Sequence, residues 1–241
     1  MIASCHADNG GVRLHYLDSG GDDRGAPIVF VPGMTDVAED YTHAMALFGR
    51  RAVVMEFRGH GRSSTPTSGY DFAALCGDVR SVVDAVTAGP VHLATFSRGT
   101  TYAVGWAIEH PDRVRSIAIG DYVPEERVVT DTEARNLLNG RWRGSPVRER
   151  LDSDAAMQTF HRAQDRSMWD ELSKLHIPLL AVRSSTDLII SDGDWNHYRE
   201  LFPGAELVEF TDSPHDIFRP DRGRYPQLVR EHVDRADTGY A

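Results

Sequence analysis

Short apolar runs alternate along most of the chain with longer stretches whose apolar residues recur at helical spacing. Pro27-Ile-Val-Phe-Val, Arg51-Ala-Val-Val-Met-Glu-Phe, Val91 to Phe96, Val114 to Gly120, Pro178-Leu-Leu-Ala-Val and Ala205 to Phe210 are mostly apolar runs of strand length. All six predict strands, and the first two, continuous in apolar residues, predict strands buried on both faces. Gly11-Val-Arg-Leu-His-Tyr-Leu alternates apolar and polar residues instead, which predicts an edge or half-buried strand. Between the runs, helices are predicted over Asp36 to Phe48, Asp71 to Ala88, Arg98 to His110, Asp194 to Phe202 and Asp221 to Arg235. The second is the clearest, with Phe72, Leu75, Val79, Val82, Val83 and Val86 on one face. Asp18 to Gly25 is rich in Gly and Asp and predicts a turn-rich loop.

Strands alternating with helices imply an α/β fold, a mostly parallel sheet with helices on both faces. The alternation stops between Tyr122 and Trp169, where the chain is polar, rich in arginine and compatible with helix, and carries no convincing strand. It resumes at Pro178. The expected organisation is a core of residues 1–121 and 178–241 with a helical cap, residues 122–177, above the carboxyl edge of the sheet. In open α/β sheets that edge is where ligands bind.

Composition narrows the functional classes. The chain has 241 residues, 41% of them hydrophobic, which suits one large domain or two small ones with a sizeable core. Its formal charge of −10 argues against nucleic acid as a partner, since phosphate binding needs a basic face. Cys5 and Cys76 form neither a disulfide framework nor a zinc-type pair. The first residues lack the pattern of a signal peptide, and no apolar run reaches membrane-spanning length. The expectation is a soluble, cytoplasmic protein acting on a small molecule, without a membrane or nucleic-acid partner; oligomeric state stays open.

The candidate chemistry centres on Thr95-Phe-Ser97-Arg-Gly99. Ser97 lies between a predicted strand and a predicted helix with almost no loop, so the chain must turn sharply there and expose the side chain. The plainer reading is a serine capping the helix. A serine hydroxyl is a poor nucleophile unless a base takes its proton and an acid orients the base. His215 follows the strand Ala205 to Phe210 through a short loop and precedes the last helix. Asp187 follows the preceding strand in Val182-Arg-Ser-Ser-Thr-Asp. Gly59-x-Gly61, after another strand, could open a dinucleotide fingerprint, but Ser64 stands at the third glycine position and Pro66 interrupts any helix beginning there.

Thr95-Phe-Ser97-Arg-Gly99 resembles G-x-S-x-G, the nucleophile elbow of the α/β-hydrolase family, with Thr95 in place of the first glycine. Arg58-Gly-His-Gly-Arg-Ser-Ser resembles that family's R-G-x-G-x-S loop, and Pro32-Gly-Met-Thr its His-Gly-x-x loop. The order Ser97, Asp187, His215 is the family's order. The resemblance implies an eight-stranded sheet, a helical cap inserted after the sixth strand, and a Ser-His-Asp hydrolase with no cofactor and no metal. It implies Ser97, His215 and Asp187 as catalytic residues and the backbone N–H groups of Met34 and Arg98 as the oxyanion hole.

The implied reaction is hydrolysis of a small-molecule ester, thioester or amide through an acyl-enzyme. The alternatives are a C–C bond hydrolase, a biosynthetic lyase or cyclase on the same site, or a ligand receptor with a vestigial site. Asp121, at the end of the strand before the cap, is the competing acid. Asp187 is preferred because its loop is long enough to bend toward His215, and Leu188-Ile-Ile could bury its carboxylate. Asp121, Tyr122, Trp142 and Trp169 are then candidate substrate contacts. The cap arginines, Arg135, Arg141, Arg143, Arg148, Arg150, Arg162 and Arg166, form either a solvated surface or a reader of a substrate carboxylate.

Overall fold

Residues 1–21 and 25–239 are described by the computed structural model of the protein; Asp22 to Arg24, the middle of the predicted Asp18 to Gly25 loop, lie outside them. In chain order the strands are β1 (Ala3–Asn9), β2 (Val12–Asp18), β3 (Ile28–Val31), β4 (Ala52–Met55), β5 (Val91–Phe96), β6 (Val114–Gly120), β7 (Glu125–Glu126), β8 (Arg141–Trp142), β9 (Ser145–Pro146), β10 (Arg166–Ser167), β11 (Leu179–Ser184) and β12 (Glu206–Phe210). The α-helices are α1 (Thr42–Leu47), α2 (Phe72–Val86), α3 (Gly99–Glu109), α4 (Asp131–Asn139), α5 (Ser153–Arg162), α6 (Trp169–Ser173), α7 (Asp192–Leu201) and α8 (Arg224–Thr238).

Eight strands form one sheet in the order β1-β2-β4-β3-β5-β6-β11-β12. It is parallel from β4 to β12, while β1 pairs with β2 and β2 with β4 antiparallel. The apolar runs of the inner strands fall where predicted because successive side chains point to opposite faces and both faces are covered, whereas β12, at the sheet edge, is only half-buried. Val29 and Val31 of β3 and Leu93 of β5 join a core under α2, α3, α6 and α7. Ile28, Phe30, Ala94 and Phe96 join a second core under α1 and α8. Helix α2 buries Leu75, Val79, Val82, Val83 and Val86, each contributing about 1.5–3 kcal/mol in removal from water. Its Asp71 caps it by accepting the Ala74 N–H at 2.9 Å.

Three elements depart from the sequence reading. Strand β1 was not predicted; of its seven residues only Ala7 is buried, so no apolar pattern announces it. The helix expected from Asp36 starts as a 3-10 turn at Ala38 and becomes α-helical only at Thr42. Asp36 and Val37 are held out of it because the Asp36 carboxylate accepts the Gly33 N–H at 3.0 Å. The inserted segment is not purely helical: β7 pairs with β10 and β8 with β9, each a two-residue antiparallel ladder beside α4, α5 and α6.

Candidate active site

Strand β5 ends at Phe96 and α3 starts at Gly99, so the chain reverses within two residues. Ser97 takes φ +49°, a left-handed conformation that costs a non-glycine residue roughly 1–3 kcal/mol. The turn is held by the Ser97 N–H donating to Gly120 O at 2.8 Å and the Thr100 N–H donating to Ser97 O at 2.9 Å. Gly99 is obligatory because a Cβ there would collide with the Pro32 carbonyl. Thr95 fits the place of the first elbow glycine because its hydroxyl is buried in a bond to the Thr100 hydroxyl at 2.8 Å. From below, the Tyr225 hydroxyl donates to Thr95 O at 2.8 Å, and Gly120 leaves room for that ring.

His215 comes from the loop after β12. Its Nε2 lies 2.9 Å from Ser97 Oγ and its Nδ1 2.7 Å from Asp121 Oδ2. Because a carboxylate only accepts, Nδ1 carries the proton and Nε2 is left to accept from the serine. The imidazole is 20% exposed and stacks on Phe96, centroids 5.1 Å apart.

The acid facing the ring is therefore Asp121, which corrects the expectation of Asp187. Asp121 is fully buried at the end of β6, itself at φ +47°. Its carboxylate accepts the Ser184 N–H at 2.7 Å, the Ser184 hydroxyl at 2.8 Å and the histidine. Asp187 is exposed and accepts the backbone N–H of His215 at 2.7 Å. Leu188 behind it is 63% exposed, so the apolar surface expected to bury that carboxylate does not form. Asp187 thus holds the histidine loop by its main chain, as does Thr186, whose hydroxyl donates to Ser213 O at 2.6 Å.

The loop after β3 abuts the nucleophile: a Cβ on Gly33 would stand 3.1 Å from Ser97 Cβ. Among the described residues, neither the Met34 N–H nor the Arg98 N–H has a hydrogen-bond acceptor in the protein. The Met34 carbonyl is engaged at 2.7 Å by His60 Nε2 from the Arg58 to Ser64 loop. That loop is tied to the insertion by Gly61 N–H to Arg150 O at 2.9 Å and Asp152 N–H to Gly59 O at 2.8 Å. Gly59 lets α5 approach, since a Cβ there would meet Ala155 Cβ at 2.6 Å.

The remaining candidate contacts separate. Trp142 stays beside the site, 6.2 Å from His215 between ring centroids, but its Nε1–H is committed to Asp36 Oδ1 at 2.6 Å. Trp169 does not face it: buried against Tyr198, it donates to Glu125 Oε1 at 2.7 Å. Tyr122 packs its ring against the core under α3, and its carbonyl accepts the Tyr198 hydroxyl. The insertion carries eight arginines; Arg127 is held by Glu125 and Asp194, and of the other seven, five are exposed. The two that are not already hold protein acceptors, Arg143 on Asp216 and Arg150 on Asp40 and Thr35 O. Asp36 is the residue that sequence reasoning missed; its one signal was a carboxylate three residues after a strand-ending Pro32-Gly33.

Among the described residues no group of three or more His, Cys, Asp or Glu is placed to hold a metal ion, and no helix is long and apolar enough to cross a membrane.

The family model described as alpha/beta hydrolase fold matches residues 26–141. A non-heme chloroperoxidase from Streptomyces lividans is 33% identical over 131 residues, 53% of this chain and 47% of that protein, so the match spans about half of the relative. Non-heme chloroperoxidase CPO-A1 from Kitasatospora aureofaciens is 25% identical over an alignment covering 86% of this chain and 90% of its own. Among solved structures, an esterase from Exiguobacterium antarcticum superposes with a TM-score of 0.80 at 17% identity, covering 96% of this chain and 100% of its own. With the eight-stranded sheet and the strand–turn–helix at Ser97, these matches show that the chain has the α/β-hydrolase fold.

Proposed function

We propose that the protein is a serine hydrolase acting on a small-molecule ester, thioester or amide through an acyl-enzyme. The observation that carries this reading is the unbroken chain from Ser97 Oγ to His215 Nε2 at 2.9 Å and from His215 Nδ1 to Asp121 Oδ2 at 2.7 Å. In the first step the Ser97 oxygen attacks the substrate carbonyl carbon and His215 Nε2 takes the hydroxyl proton. The carbonyl oxygen becomes an oxyanion, and the Met34 and Arg98 N–H groups are the donors proposed to receive it. Buried Asp121 stabilises the imidazolium, which then protonates the departing alcohol, thiol or amine. Water repeats the sequence on the acyl-serine and releases the acid. The insertion acts as a cap over this site, and no cofactor is needed.

A fluorophosphonate probe tests the assignment. It is expected to label the wild-type protein at Ser97, located by peptide mapping, and to leave Ser97→Ala unlabelled. Labelling that persists in Ser97→Ala, or a wild type that does not react, would overturn it.

A further inference from the structure

We propose that Arg143 is a positioning residue that holds the two loops flanking Ser97 in register with each other; this rests on the serine-hydrolase reading above. Arg143 sits at the tip of the β8–β9 hairpin at φ +46°. Its Nη2 donates to Asp216 Oδ1 at 2.7 Å and its Nε to Asp216 Oδ2 at 3.1 Å, a two-pronged bond to the residue directly after His215. Its Nη1 lies 3.7 Å from Asp36 Oδ1. Asp36 in turn accepts the Gly33 N–H and the Trp142 Nε1–H, so it fixes the loop that presents Met34.

One guanidinium therefore spans from the histidine loop to the loop beside the nucleophile. It is clamped over the Tyr41 ring at 4.7 Å and the Phe218 ring at 5.1 Å, and is only 12% exposed. The arrangement is specific to arginine. Lysine offers a point charge where Asp216 and Asp36 need a planar fork reaching in two directions. Both loops belong to the core, 180 residues apart in number, and neither contains the residue that joins them. A shift of either by about 1 Å misplaces a reacting group, which can cost about 10²-fold in rate.

The test uses Arg143→Gln and Arg143→Lys in the full chain, with p-nitrophenyl acetate turnover, the rate of fluorophosphonate labelling, and thermal unfolding. Both variants are expected to lose about 10²-fold in kcat and in labelling rate of the folded fraction with little change in KM, and to unfold at a lower temperature because buried Asp36 and Asp216 lose their guanidinium partner. A residue that only stabilised the fold would lower the melting temperature and leave the rates of the folded fraction alone. Asp36→Asn and Asp216→Asn weaken one arm each without emptying the site, and serve if the Arg143 variants do not fold. Each is expected to slow labelling, and the Asp36→Asn, Asp216→Asn pair to be non-additive because both act through one bridge. Wild-type rates in the folded variants, or strictly additive losses from the two arms, would overturn the proposal alone. A wild type that is never labelled at Ser97 would overturn the underlying reading and this inference with it.

Discussion

Asp121 and Asp187 follow neighbouring strands of the sheet, β6 and β11, and water separates their roles. Asp121 is fully buried and its carboxylate accepts two bonds from Ser184 and one from the imidazole. Asp187 stands in solvent and reaches only a main-chain N–H. A buried acid that fixes the histidine tautomer and stabilises the imidazolium should cut kcat by about 10⁴-fold when replaced by its amide. Asp121→Asn is thus expected to fold and to lose about that factor, whereas Asp187→Asn, which weakens one loop contact, should lose far less. Steady-state kinetics of the two variants on one nitrophenyl ester checks this; the reverse ranking would return the acid to Asp187. Ser184, the last residue of β11, supplies both the N–H and the hydroxyl that fix Asp121. Position in chain order does not reveal which of two carboxylates lies under a ring, because that depends on strand neighbours.

Elements were legible where burial imposes a period and illegible where it does not. β5 and β6 match their predicted bounds because both faces of each are covered. The polar edge strand β1 and the two-residue ladders of the insertion carry no period to read. The contact of β5 with α8 carries a consequence for acid stability. His92 of β5 bonds the Ser116 hydroxyl at 2.8 Å and Asp237 at 3.2 Å, and His232 of α8 is buried nearby. Burial, above all, pushes both imidazoles down to about 4, with Arg235 and His92 adding to the effect at His232. As pH falls below about 6.5 the unfolded chain takes up protons that the folded chain refuses, so stability is full above that pH and declines toward pH 4. The decline can reach about 1.4 kcal/mol per pH unit for each proton. Urea unfolding at about pH 7 and pH 5 should show a wild-type loss that the His92→Gln, His232→Gln double variant largely lacks. Equal losses in both would contradict it.

At the scale of the molecule, the sheet gathers at its carboxyl edge groups that are scattered along the chain. The loop after β3 lies beside Ser97, which ends β5; Asp121 ends β6 and His215 follows β12. The insertion then ties these loops together through Trp142, Arg143 and Arg150. The same scaffold is shared with an esterase at 17% identity, so the backbone path tolerates nearly complete replacement of side chains. The proposed reaction turns on covalent acylation of Ser97. Rapid mixing with p-nitrophenyl acetate, followed by acid quench and intact-protein mass measurement, tests this most directly. The expected result is a burst of one nitrophenolate per chain and a matching acetyl adduct on Ser97 that decays at the steady-state rate. Turnover that depends on Ser97 but shows neither burst nor adduct in wild type or in the slowed Asp121→Asn variant would contradict it.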